Sequence, residues 1–234
     1  MSGRMYQFDG LASVHNHDFL EDPRFVAAYR RGLQATGGTE YYWYWRVHIG
    51  LWAASHARRL PGDFVECGTN AGFLASAIMQ FLDWDSVGKQ FYLLDTFSGL
   101  DTRYVSDRER ELGALDRNRE HLEQGFYVTD VESVRRNFSQ WRNHRIIVGP
   151  VPDTLPQVTA ERVAFLHIDM NCAQPEVAAL RHFWDRISTG GIVLLDDYGY
   201  VGYRAQKSAM DQLAPELGVP IATLPTGQGL ILKP

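Results

Sequence analysis

The sequence predicts an α/β fold built on a mostly parallel sheet with helices on both faces, and three observations carry this. The strand-like runs FYLLD (91–95), IIV (146–148), VAFLHID (163–169) and GIVLLDD (191–197) are continuously apolar, which marks strands buried on both faces. They alternate with helical segments, as in doubly wound sheets. A glycine-bearing turn, DFVECGTNAGFLA (63–75), leads from the first strand into an apolar helix. With two short strands near 220–224 and 229–233, these features predict a Rossmann-like, doubly wound, seven-stranded sheet whose last strand is antiparallel.

Taken in order, residues 1–60 read as an N-terminal helical extension. Within it, residues 41–60 form an aromatic-rich helix with Trp45, Ile49, Trp52 and Ala53 on one face, ended by Pro61-Gly62. The first strand begins at Phe64-Val65 and is followed by the helix AGFLASAIMQFL (71–82). Between the second and third strands lies a charged stretch, 101–144, too long for an ordinary connection. It leaves from the carboxyl end of a strand, the edge where open α/β sheets bind ligands, so it reads as a lid-like insertion; a pair of solvated surface helices is the alternative. Helices over 175–187 and roughly 203–217 complete the pattern. No repeat or linker divides the chain, and 1–234 is expected to form a single domain.

Composition narrows the function classes. The 234 residues are 45% hydrophobic and 12% aromatic, enough for a sizeable core, and the formal net charge of −5 carries no basic stripe, which argues against nucleic acid as a partner. No segment reaches the ~18 apolar residues of a membrane span, and the start has no apolar signal-like run. Cys67 and Cys172 each follow an apolar run and read as reduced, buried thiols of a cytoplasmic protein.

Three motifs carry chemistry. In Glu66-x-Gly68-x-x-x-Gly72, the glycines let backbone approach a ligand and the helix start offers free amides; the spacing departs from the dinucleotide fingerprint and argues against NAD. Asp95 ends the second strand, 29 positions after Glu66, where an acid accepts hydrogen bonds from ribose hydroxyls, although Asp is also an ordinary turn former. Asp169 ends the fourth strand and Asp196 and Asp197 the fifth. Neighbouring strands lie ~4.8 Å apart, so these carboxylates meet and repel unless a cation sits among them. Hard oxygen donors suit Mg²⁺; the alternative is a turn-forming Asp and a helix-capping pair. His167, on the same strand face as Asp169 but deeper, reads as a buried structural histidine or as a second catalytic group beside Asp169. His121, His144 and Lys207 are more distant candidates for a base. The aromatic run from Tyr41 to Trp45 reads as core or subunit interface, in keeping with a homo-oligomer, before it reads as a platform for a sugar ring.

The ordered pieces VECGTNAGFLA, LLDTFSGL, GPVPDTLP, FLHIDMN and GGIVLLDDYGY, spanning residues 65–200, resemble the macrocin O-methyltransferase family of antibiotic-sugar methyltransferases. The resemblance implies S-adenosylmethionine and Mg²⁺ as cofactors and O-methylation of a sugar or other diol-bearing small molecule. It implies that Glu66, Gly68 and Gly72 lie against the methionine part of the cofactor, that Asp95 holds the ribose, and that the turn from Gly149 to Asp153 borders the adenine. Thr69, Asn70, Thr96 and Ser98 join the same cofactor-binding set. Asp169, Asp196 and Asp197 are implied as Mg²⁺ ligands, with Asp169 also placed to take the proton. Asn171 departs from the family pattern, in which a second acid is common two positions after the first. A different reaction on the same scaffold, as in cephalosporin hydroxylase-like proteins, and a catalytically silent cofactor-binding protein are the competing classes.

Overall fold

The structure is a computed structural model and describes residues 5–234. In chain order its elements are β1 (Tyr6–Phe8), β2 (Leu11–Ser13), α1 (Pro23–Ala35), α2 (Tyr44–Ala57), β3 (Asp63–Cys67), α3 (Phe73–Leu82), α4 (Trp84–Val87), β4 (Phe91–Asp95), α5 (Asp107–Glu111), α6 (Ala114–Glu123), α7 (Val131–Phe138), β5 (His144–Val148), β6 (Val163–Ile168), α8 (Ala173–Phe183), β7 (Ile187–Leu195), α9 (Arg204–Glu216), β8 (Ala222–Thr223) and β9 (Gly229–Leu232). The main sheet has seven strands in the order β5-β4-β3-β6-β7-β9-β8. β3 to β7 are parallel, and β9 runs antiparallel to both β7 and β8. Among the described residues no helix is long and apolar enough to cross a membrane.

The continuous apolar strands are buried on both sides. Side chains alternate between faces, so Phe64, Leu93 and Leu194 join the core under α1, α2, α3 and α7, while Val65, Leu94 and Leu166 join the core under α8 and α9. Phe91, Phe165 and Trp84 are fully buried around Phe64, itself fully buried, and each such ring contributes about 1.5–3 kcal/mol through burial. Cys67 and Cys172 are both buried and not joined to each other.

The N-terminal segment departs from the expected helical extension. It opens with a hairpin, β1–β2, turned by Asp9-Gly10 with φ of 49° and 71°, the conformation a two-residue hairpin loop requires. Asp22 then caps α1 through the amide of Arg24 (2.8 Å), with Pro23 at the first helical position. The aromatic helix is shorter than 41–60. Trp52 does not share the buried face: it is 53% exposed and stacks on His56, and the buried face carries Arg46, Val47, Gly50, Leu51, Ala53, Ala54 and Ala57. β7 starts at Ile187 rather than 191, because Gly190 (φ 78°) allows the strand to kink and continue.

The charged stretch divides in two. α7 is an ordinary crossover helix: Val134 and Phe138 belong to the main core, so 131–144 is scaffold rather than lid. Residues 101–130, with α5 and α6, fold over the carboxyl edge of the sheet around a small cluster of Val105, Ala114 and Cys172. Buried Glu109 closes a capping box with Ser106 and accepts the amide of Ala173 (2.7 Å), tying this segment to the start of α8.

Candidate active site

The carboxyl ends of β3, β4, β6 and β7 open into a cavity of about 1190 Å³. On its floor the turn after β3 uses three residues with positive φ: Gly68 (96°), Asn70 (48°) and Gly72 (85°). Gly68 is required for a second reason. A Cβ there would overlap the backbone carbonyl of Asp169, whose amide donates to Cys67 O (2.8 Å) and so holds the two strand ends together. Asp95 accepts the amides of Asn70 (2.8 Å) and Phe97 (2.7 Å), locking the loops after β3 and β4 to one carboxylate. Asn70 also donates its side-chain amide to Phe126 O (2.9 Å) and accepts from Val128 N (2.8 Å), which fastens the floor of the cavity to the overlying segment.

Glu66, Gly68, Thr69, Asn70, Asp95, Thr96 and Gly149 line the cavity, and so do His167, Asp169, Asp196 and Asp197. Three other expected residues do not. Gly72 backs onto the ring of Phe138. Ser98 is exposed and turns its amide to Thr96 Oγ1 (3.2 Å). Asp153 is drawn outward by Arg103 Nη2 (2.9 Å) and Tyr104 Oη (2.7 Å), so its carboxylate clips the overlying segment instead of facing the cavity. Of the more distant candidates, His121 lines the cavity, whereas Lys207 Nζ is held by Asp211 (2.7 Å) on α9 and His144 packs near Phe138. The aromatic run does reach the cavity. Tyr41 and Trp43, just before or at the start of α2, stack at 4.3 Å, and both line the wall beside Phe126.

The acids line the same cavity. Register pairs Glu66 with His167 and Ile168 with Leu195, so Asp169 and Asp196 emerge side by side. Donor atoms of His167, Asp169 and Asp196 fall within 4.8 Å of one another. His167 Nδ1 donates to Glu66 Oε1 (3.0 Å), and its Nε2 stands 3.6 Å from Asp196 Oδ1. Burial works against a charged imidazole here, but the carboxylates of Asp196 and Glu66 outweigh it and push His167 up to about 10. The helix-capping reading of the acid pair does not hold, since α9 begins after Tyr203 with no side-chain cap.

Sequence reasoning missed Arg46, the most telling residue of the site. Its buried guanidinium bonds the Asp196 carbonyl (3.0 Å) and the Asp196 carboxylate, reaches Asp9 Oδ2 (3.3 Å), and lies 4.0 Å from Asp197 Oδ1. A cation therefore already sits among the acids. Burial disfavours ionised Asp196, yet Arg46 and His167 outweigh it and hold this carboxyl below the usual range. Asp169 and Asp197 carry the surplus: burial and their acidic neighbours push Asp169 well up and Asp197 to about 7. The grouped oxygens of Asp169 and Asp196 are hard donors that fit a divalent cation, and Asp197 lines the same cavity without falling in that close group. An arginine on a helix looks like a solvated residue in sequence; only the Asp-Gly hairpin signal and the mixed face of α2 hinted at it.

Sheet order, turn and cavity together define the fold of a class I methyltransferase. The O-methyltransferase NovP superposes with a TM-score of 0.72 at 21% identity, over 92% of this chain and 98% of that one. The chain belongs to the macrocin-O-methyltransferase (TylF) family, whose model matches residues 52–222. Among curated relatives, it is 28% identical over 151 residues to 8-demethyl-8-(2,3-dimethoxy-alpha-L-rhamnosyl)-tetracenomycin-C 4'-O-methyltransferase of Streptomyces olivaceus (59% of this chain, 54% of that protein). It is 27% identical over 146 residues to mycinamicin III 3''-O-methyltransferase of Micromonospora griseorubida (59% of this chain, 56% of that protein). The matches thus span about half the length of these relatives.

Proposed function

We propose that this protein is an S-adenosylmethionine- and Mg²⁺-dependent O-methyltransferase acting on a hydroxyl of a sugar or other diol-bearing small molecule, in natural-product or polysaccharide biosynthesis. The observation that carries the reading is one cavity lined both by the β3 turn with Asp95 and by Asp169, Asp196 and Asp197. The names of the two relatives, both O-methyltransferases, support the reaction class, and the first acts on a rhamnosyl-bearing compound by its name.

In this reading Glu66, Gly68, Thr69 and Asn70 hold the methionine part of the cofactor, Asp95 and Thr96 the ribose, and Gly149 the adenine edge. Methyl transfer needs acceptor oxygen, methyl carbon and sulfur in a row, and rigid positioning of that kind lowers barriers by ~7–11 kcal/mol in favourable cases. Asp169, Asp196 and Asp197 would hold Mg²⁺, which when bound favours ionisation of a hydroxyl and aligns neighbouring ones. Asp169, at the cavity wall, is the chain's own group placed to accept the hydroxyl proton. His167, gripped between two carboxylates, orients Glu66 and Asp196 rather than moving a proton itself.

Calorimetry with S-adenosylhomocysteine tests the cofactor half: micromolar or tighter binding is expected, and its absence removes the methyltransferase reading. Asp95→Ala is expected to weaken that binding by ~1.5–3 kcal/mol, the value of hydrogen bonds to a charged group. The same change frees the amides of Asn70 and Phe97, so it also lowers stability. The segment 101–130 is proposed as the lid. Hydrogen exchange there is expected to be fast in the unliganded protein and slower once cofactor and acceptor bind, with α7 protected throughout; equal rates in both states would make the segment a fixed wall.

A further inference from the structure

Three nitrogens of one buried side chain are committed around the acid set. Arg46 Nη1 serves Asp196, Nε serves Asp9 (3.3 Å), and Nη2 donates to Thr226 O (3.4 Å). The ring of Tyr200 covers the guanidinium at 4.8 Å from its centroid. Gln228 Nε2 donates to the remaining oxygen of Asp196 (2.9 Å). Asp196 is thus occupied on both oxygens by the protein itself, whereas Asp197 Oδ1 stands 4.0 Å from Arg46 Nη1 and Asp169 Oδ1 receives the side-chain amide of Asn171 at 3.5 Å. A planar, permanently charged guanidinium suits this many-armed role where a lysine ammonium does not.

We propose that Arg46 is a resident counter-cation that competes with the divalent cation for Asp196 and thereby weakens and tunes metal binding, and that the Asp9 hairpin holds it in that role. The inference rests on the cation reading of the acid set given above. Five carboxyl groups, those of Asp9, Glu66, Asp169, Asp196 and Asp197, gather around two basic groups, Arg46 and His167. The balance leaves room for a divalent cation on the side of Asp169 and Asp197. Its hold there is limited by Arg46, which repels it and withholds an oxygen of Asp196. The N-terminal hairpin is then part of the site, because Asp9 holds the guanidinium through Nε while Asp196 takes Nη1.

The test is Mn²⁺ binding to the full chain followed by electron paramagnetic resonance, with thermal unfolding in chelator and in excess Mg²⁺ as a second readout. Arg46→Met, which keeps the stem and removes the charge, is expected to bind Mn²⁺ about tenfold more tightly than the natural protein, the low end of what neighbours of a metal site change. Its unfolding temperature is expected to drop in chelator and to recover much of the loss in Mg²⁺, since the metal then replaces the missing positive charge. Arg46→Lys, expected to fold even where the methionine variant does not, should bind Mn²⁺ no more than slightly more tightly than the natural protein. Equal or weaker Mn²⁺ binding by Arg46→Met, or a tenfold gain in Arg46→Lys, overturns the counter-cation role and leaves the metal reading standing. No Mn²⁺ binding by the natural protein or the variants overturns both.

Discussion

Asp169→Asn and Asp197→Asn are each expected to lower the methylation rate by about 10²–10³-fold, the scale on which a lost electrostatic stabiliser of a developing oxyanion is felt. Cofactor affinity is expected to change less than the rate, because an amide keeps the shape of the carboxyl it replaces and leaves Asp95 and its bonds to Asn70 and Phe97 in place. Both variants are expected to fold as well as the natural protein or better. Burial and acidic neighbours already push these carboxyls up, and an amide in place of either relieves that repulsion. Asp196→Asn is expected to behave differently. It deprives Arg46 of its main anion, and breaking a buried ion pair from one side costs about 3–5 kcal/mol. Denaturant unfolding of the three variants side by side, with initial rates in Mg²⁺ and in chelator, separates the roles. Full activity in excess chelator refutes the metal; equal stability of all three variants refutes the special place of Asp196.

Gly68→Ala is expected to cost roughly 3–5 kcal/mol of stability, in the upper tail of single substitutions, and to abolish S-adenosylhomocysteine binding. Two penalties combine. A φ of 96° lies where an L side chain is strained. The new Cβ would also meet the Asp169 carbonyl, which is backbone and cannot rotate aside. Relief requires β3 and β6 to part at their carboxyl ends, breaking the bond from Asp169 N to Cys67 O (2.8 Å) and disturbing the acids as well as the turn. Gly37→Ala provides the comparison: its φ of 68° is similarly strained, but a Cβ there meets nothing within 4 Å, so only about 1–2 kcal/mol is expected. Equal losses in the two variants would show that conformational strain alone explains Gly68.

Much of the scaffold was legible because parallel strands buried on both faces leave an unbroken apolar signature. FYLLD, VAFLHID and GIVLLDD each proved to be a central strand, and each places its last acid or acids at the edge where the cavity opens. Asp95, Asp169 and Asp196 were therefore assignable to one edge of the sheet from strand endings alone. The hairpin was missed although Asp9-Gly10 is a strong turn signal, because its strands of three residues are too short to show alternation. The core helix α7 was not legible within the charged stretch 101–144 because it is polar on one side, and charge counting does not see that Val134 and Phe138 face the core.

The sequence by itself determined the succession of the seven main-sheet strands, the positive-φ turn after β3 and the gathering of acids at one edge, because all three follow from local pattern and chain direction. Only the tertiary structure decided which of those residues face the cavity and what balances their charge. Asp153 left the cavity because Arg103 and Tyr104, about 50 residues away in the chain, compete for it. Arg46 entered the acid set because α2 packs across the sheet and a buried guanidinium must find anions. Such pairings depend on which distant side chain arrives within a few ångströms, and Coulomb attraction in a buried site acts on that distance and not on position along the sequence.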